Sequence, residues 1–216
     1  ACTNTDTERE QKKMTPGGIF FDYRISGEED KGDVTCLLQF RMGGPNGVTL
    51  LLEDPAKVEL DGEIIKADSA RLTGAFYETI KPVNEFNGKH SIVFTDLEKQ
   101  PHTEEFEFTP FRLSTELPQK LQRKPFTIRL VDLPADAATI HITLTDTSFT
   151  TNDVNEIAEV VNGEVAVTET MINKLKVGPI VLELSTENEK TVNKGANDKG
   201  RIWMRYGLRR EFELVE

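Results

Sequence analysis

In the closing stretch RIWMRYGLRREFELVE, apolar side chains fall on even positions (Ile202, Met204, Tyr206, Leu208, Phe212, Leu214), while Arg201, Trp203, Arg205, Arg209, Glu211 and Glu213 fall on odd ones. A strand sends alternate side chains to opposite faces, so this period of two predicts one face against a core and one face in solvent. The same period recurs in IFFDYRIS, where Ile19, Phe21, Tyr23 and Ile25 share a face, and in VTCLLQFRM, where Val34, Cys36, Leu38, Phe40 and Met42 do. The acidic turn GEEDKGD joins those two runs, which together read as a hairpin.

Turn chemistry extends the reading along the chain. In KVELDGEII the pair Asp61-Gly62 supplies the positive φ angles of a two-residue hairpin turn, and KHSIVFTD with EEFEFTPF completes a first set of strands. LSTELPQKLQRKP, with Pro118 and Pro125, reads as a linker or an irregular opening strand. Features of the first half then recur in order: FTIRLVDLPADAATIHITLTD as strand, turn and strand, EVVNGEVAV for VELDGEII, INKLKVGPIVLEL for VNEFNGKHSIVFT, and RREFELV for EEFEFTP. In NDVNEIAEVV, Val154, Ile157, Ala158 and Val161 share a helical face, which predicts at most a turn or two of helix.

A chain of 216 residues has room for two such modules. The expected fold class is all-β: two tandem β-sandwiches over 19–113 and 114–216, after a disordered tether over 1–18. Both modules resemble immunoglobulin-like domains, without that family's Cys-Trp-Cys core signature.

Charge narrows the functions open to the chain. With 37 acidic against 26 basic residues, the net charge of -11 repels phosphate backbones, which argues against nucleic-acid binding. No run approaches the roughly 18 apolar residues of a spanning helix. There is no nucleophile elbow, HExxH pair, phosphate loop or Cys-His cluster, so no cofactor, metal or catalytic residue is expected. His90, His102 and His141 read as surface residues. GEEDKGD (Glu28, Glu29, Asp30, Asp33) and TDTSFTTNDVNE (Asp146, Asn152, Asp153, Glu156) are rich in oxygen ligands but lack the EF-hand spacing, and read as solvated turns. A hydrolase using two carboxylates is the enzymatic alternative, since that chemistry leaves no short motif.

Two features point to function. Trp203, the only tryptophan, falls on the solvent face between Arg201 and Arg205, where it can stack on a guanidinium or receive a sugar, a carboxylate or a partner protein. The opening ACTNTDTEREQKKMTPGG sets Cys2 behind a small residue and ahead of a polar run. It resembles the start of a bacterial lipoprotein, and Asp6, Glu8 and Glu10 are similar to the acidic tract of surface-exported Bacteroidetes lipoproteins. The resemblance implies a cleaved signal peptide and acylation of Cys2, holding the protein in the cell envelope at the outer membrane. Two or three acyl chains, at about 0.8 kcal/mol per buried methylene, anchor stably where one does not. The following residues would tether the folded part roughly 20 Å from the membrane. Cys36, on a core-facing strand, is expected to be buried and chemically quiet. The functional expectation is a non-enzymatic binding or assembly module with a protein or glycan partner, a glycan-binding accessory lipoprotein being one form of it.

Overall fold

Ile19–Glu28 forms β1 and Asp33–Met42 forms β2, paired antiparallel from Ile19↔Met42 to Glu28↔Asp33 around the acidic turn. The computed structural model describes residues 18–70, 74–147, 153–192 and 200–216; the expected tether and Cys2 lie outside them. Short strands β3 (Val48–Thr49), β4 (Lys57–Leu60), β5 (Glu63–Ile64) and β6 (Ala67–Ala70) follow, then β7 (Gly74–Pro82), β8 (Gly88–Thr95) and β9 (Pro101–Phe108). The strand order is β1-β2-β7-β6 in one layer and β5-β4-β8-β9 in the other. Labelled along the chain, this is A-B-E-D over C′-C-F-G, the order of the immunoglobulin sandwich. The layers meet through an aromatic core, with Phe94 of β8 lying 5.4 Å from Phe21 and 5.0 Å from Phe40 between ring centroids.

The second half contributes β10 (Arg112–Leu113), β11 (Lys120–Gln122), β12 (Phe126–Val131), β13 (Thr139–Asp146), β14 (Val154–Glu159) and β15 (Glu164–Val167). A one-turn helix α1 (Glu169–Lys174) precedes the long strands β16 (Gly178–Thr191) and β17 (Gly200–Val215). Here β10-β12-β15 packs against β14-β13-β16-β17, with β11 running parallel beside the end of β17. The equivalent labels are A-B-E over C′-C-F-G, and the all-β expectation of two sandwiches holds.

The two layers on one side are a single sheet. β17 pairs with β16 along its whole length and, over eight residue pairs from Phe21↔Gly200 to Glu28↔Gly207, runs parallel to β1. The first half of β17 therefore completes the first sandwich and its second half belongs to the other. One hydrophobic cluster spans both. At the junction Tyr206 stands edge-on between Phe108 and Phe111, with centroids 5.9 and 5.6 Å away.

Several local expectations need correction. Strand length and Gly207 predict a bulge in β17, with STENEKTV pairing RIWMRY in a projecting arm; the pairing is present, but the arm lies along β1 and the register passes through Gly207↔Ser185 without a bulge. Gly207 instead marks where β1 ends: its carbonyl accepts the Glu29 amide at 2.9 Å, and a Cβ there would lie 3.3 Å from the Arg205 guanidinium. The arm's tip falls outside the described residues. The segment given a helical face is strand β14, because its backbone groups pair with β13. The turn of helix lies further on, where Thr168 caps α1 by accepting the Met171 amide. β12 and β13 do not form a hairpin; the chain crosses there from one layer to the other. Asp61-Gly62 and Asn162-Gly163 all have positive φ (50°, 84°, 52° and 76°). The first pair joins neighbours in one sheet, while the second joins strands in different layers, so that match in the repeat is not structural.

Candidate functional site

Residues opposite one another in a ladder point to the same side of the sheet, so register alone assembles the outer face around β17. Across it, Trp203 faces Arg24 of β1 and Glu189 of β16, Arg201 faces Asp22, and Arg205 faces Ser26 and Glu187. On the far side of β1, Arg24 meets Leu37 and Asp22 meets Gln39 of β2. Arg201, Trp203 and Arg205 thus share one half-buried strip, and the first sandwich adds Arg24, Asp22 and Arg41 to it. Nothing in the local sequence indicates this addition, which arises from a parallel pairing across almost the whole chain.

Asp22 is the hub. It sits on the solvent side yet its side chain is 1% exposed, because arginines cover it. Arg201 Nε donates to Oδ1 at 2.9 Å, and Arg24 donates from Nε to Oδ1 at 3.4 Å and from Nη2 to Oδ2 at 3.2 Å. Arg41 brings Nε to 3.5 Å from Oδ2 without hydrogen-bond geometry, and donates instead to Gln39 Oε1 at 2.6 Å and to the Gly47 carbonyl. Burial by itself would raise the Asp22 pKa; the hydrogen bonds and charges of Arg201 and Arg24 outweigh it and hold the carboxyl below its ordinary 3.8.

Trp203 donates its indole N–H to Glu187 Oε1 at 2.8 Å, so the ring is pinned at one edge. The expected alternation is present: Trp203 lies outside the core, between inward-facing Ile202 and Met204. Its arginine neighbours turn to carboxylates, Arg201 to Asp22 and Glu189, and Arg205 to Glu28 at 3.1 Å. Arg210, which breaks the alternation, bridges the sandwiches by donating to Glu29 on the β1–β2 turn and to Glu116 ahead of β11.

Two of the three histidines, His90 and His102, are structural, not simply superficial. His90 stacks on Phe86 with ring centroids 3.8 Å apart; its Nδ1 contacts Asp61 at 2.7 Å and its Nε2 the Phe86 carbonyl, which occupies both nitrogens. His102 lies on β9, not in a loop, and reaches Asp96 at 2.9 Å. Burial favours a raised Asp96 pKa, but His102 and the amides of Gln100 and Glu98 bring it below 3.8. The oxygen-rich loops are likewise engaged: Glu28 and Glu29 by arginines, Glu156 by Lys174 at 2.8 Å, and Asp146 by the Lys176 amide. Asn152 lies outside the described residues. Among the described residues no group of three or more His, Cys, Asp or Glu is arranged to hold a metal ion.

Of the buried carboxylates, Asp22 lies on β1, Asp146 on β13 and Asp96 in the turn between β8 and β9. A concavity of about 450 Å³ lies between the end of β9, the 133–138 loop and the arm. Glu107, Asp136 and Glu187 line it, but Asp136 accepts from Asn188 at 2.7 Å and Glu187 holds Trp203.

No family model matches the chain, and no curated protein does. Among solved structures it is similar to DIP-gamma IG1+IG2, at 8% identity and a TM-score of 0.25, over 92% of this chain and 98% of that one. It is also similar to a bacterial ice-binding adhesin of 1.5 MDa (11% identity, TM-score 0.24, 90% of this chain and 63% of that one). The adhesin InvE of Yersinia pseudotuberculosis gives 12% identity and a TM-score of 0.23, over 92% of this chain and 59% of that one. At these TM-scores the likenesses carry no argument; the immunoglobulin order stands on strand pairing.

Proposed function

We propose that the chain is a lipid-anchored, non-enzymatic module of the cell envelope that binds a glycan or a protein through the outer face of its shared sheet. The β1–β17 ladder carries this reading, since it turns two sandwiches into one continuous sheet with Trp203, Arg24, Arg201 and Arg205 on one side. Backbone ladders hold side chains more rigidly than loops do, and a preorganised face loses less entropy on binding. Aromatic and arginine side chains together are the composition expected of interface centres. Acylation of Cys2 would place that face at the outer membrane, in the periplasm or on the cell surface.

Address and binding are tested separately. The full precursor, expressed in a Gram-negative host, is expected to yield an acylated N-terminal peptide by mass spectrometry, lost in Cys2→Ser; unmodified Cys2 overturns the anchor. For binding, the folded chain is applied to an array of glycans and envelope proteins beside Trp203→Ala. Signals that survive the substitution unchanged overturn the assigned face.

A further inference from the structure

Three guanidinium groups surround one carboxylate at Asp22, leaving the cluster with more positive charge than its own acid balances. Glu189 lies 3.8 Å from Arg201. Arg24 and Arg201 approach the same oxygen, Asp22 Oδ1, by their Nε edges. Among the described residues no acceptor takes Arg24 Nη1 or Arg201 Nη2, while Arg201 Nη1 lies beside Glu189. The Arg24 side chain is 44% exposed and Arg201 31%. Asp22 therefore does not neutralise these arginines so much as aim them, two planar donors fixed side by side by a buried acceptor.

Trp203 borders this bay, directly opposite Arg24 and two residues along β17 from Arg201 on the same face. Its indole nitrogen is already committed to Glu187, so what it can offer a ligand is the apolar ring. Paired guanidinium edges beside a pinned aromatic plate suit a ligand with one anionic group on an apolar-faced ring. A polyanion fits less well, because the net charge of -11 repels it at long range, whereas a single anion is held at contact distance within a Debye length of about 8–10 Å.

We infer that the bay formed by Arg24, Arg201 and Trp203 binds an acidic saccharide, its carboxylate or sulfate bridging the two arginines and a sugar face lying on the indole. This rests on the reading of the outer face as the binding surface and adds the class of ligand. Since Trp203 is the only tryptophan, intrinsic fluorescence reports on the bay directly.

The test titrates the full chain with galacturonic acid, galactose, galactose 6-sulfate and inorganic sulfate, so that each sugar carries at most one anionic group. The acidic sugars are expected to shift the emission saturably and to bind at least about tenfold tighter than the neutral one, the loss expected for a hydrogen-bonded ion pair. Sulfate alone should bind weakly, lacking the ring contact, and comparison of the two acidic sugars identifies the preferred anion. Arg24→Ala should weaken acidic-sugar binding about tenfold, and Arg24→Lys should restore only part of it, since an ammonium lacks the planar fork. Circular dichroism checks that both variants fold. Trp203→Phe, followed by calorimetry, should weaken binding of acidic and neutral sugars alike. Equal binding of acidic and neutral sugars, or indifference to Arg24→Ala, overturns the inference. If no acidic sugar binds while the array still finds a Trp203-dependent ligand, the inference falls alone; if neither appears, both readings fall.

Discussion

Asp22 on the first strand accepts a 2.9 Å hydrogen bond from Arg201 on the last, joining residues 179 apart in the chain. Parallel β1–β17 pairing brings them together, and they in turn favour that pairing over a slipped one. A shift of one residue would send Arg201 into the core and leave Asp22 without its strongest donor. Ionic registry and sheet continuity are thus the same feature seen from the side chains and from the backbone.

Asp22→Asn should be among the more damaging substitutions on the outer face. It leaves three guanidinium groups crowded around a neutral acceptor, and losing one member of a buried charge cluster costs about 3 kcal/mol. Urea denaturation measures this. Adding Arg41→Met should recover part of the loss by removing the guanidinium whose buried Nε has no hydrogen-bond partner.

The same carboxyl sets an acid limit on stability. Asp22 and Asp96 both titrate below 3.8 in the folded chain, and Glu116, hydrogen-bonded by Arg210, titrates below 4.5. As pH falls the unfolded chain takes up these protons first. Their contribution is therefore complete above the unfolded values and is lost as pH drops through the folded ones. Denaturant midpoints for the wild type should decline below about pH 4, and Asp22→Asn should decline less steeply over that range. An equal slope in the two proteins would mean that Asp22 carries no such linkage.

Local pairings were legible in the sequence because turns and alternation encode them. The β1–β2 hairpin, the Asp61-Gly62 turn and the outward parity of Trp203 all follow from a few adjacent residues. The resemblance of INKLKVGPIVLEL to VNEFNGKHSIVFT and of RREFELV to EEFEFTP marks true equivalents, strands F and G of each sandwich. The parallel ladder was not legible, because no turn joins its strands and period-two patterning does not name a partner. For the same reason nothing in the sequence places Arg24, Asp22 and Arg41 on the same face as Trp203. NDVNEIAEVV misled because Val154, Ile157, Ala158 and Val161 fit a helical face, yet in the sheet Ile157 is simply an exposed residue on edge strand β14.

Cys36 should be inert to thiol reagents in the folded protein. It is a free, fully buried thiol on β2, and burial first, with the Asp61 charge second, pushes its pKa to about 12. In a Cys2→Ser chain, labelling should track global unfolding and show no fast phase. A thiol that reacts within seconds in native buffer would contradict its placement.

Gly200 leaves no room for a side chain against β1: a Cβ there would lie 2.8 Å from both the Cβ and the carbonyl oxygen of Phe21. Neither atom can move without shifting the strand. Gly200→Val should therefore cost about 1–3 kcal/mol as overpacking. Hydrogen exchange should show the loss of protection concentrated at this end of the ladder, near Phe21 and Tyr23, and smaller near Glu29, whose amide is held by Gly207. Uniform loss across both sandwiches would instead point to global destabilisation without a local opening.

Tyr206 decides whether the two sandwiches unfold together. It is buried, stands edge-on to both Phe108 and Phe111, and lies on the strand that both sandwiches share. Removing the ring in Tyr206→Ala opens a cavity at the junction and should cost about 3–5 kcal/mol. Because the lost contacts tie the sandwiches together, the cost should appear as lost coupling as well as lower stability. Scanning calorimetry of the wild type is expected to give one cooperative transition, since one hydrophobic cluster and one sheet run through the molecule. Tyr206→Ala should split or broaden it, while Tyr206→Phe, which keeps both edge-on contacts, should stay within about 1 kcal/mol of wild type. Two separate transitions in the wild type would mean that the ladder joins the sandwiches without coupling them, and the rigidity argued for the outer face would then need another source.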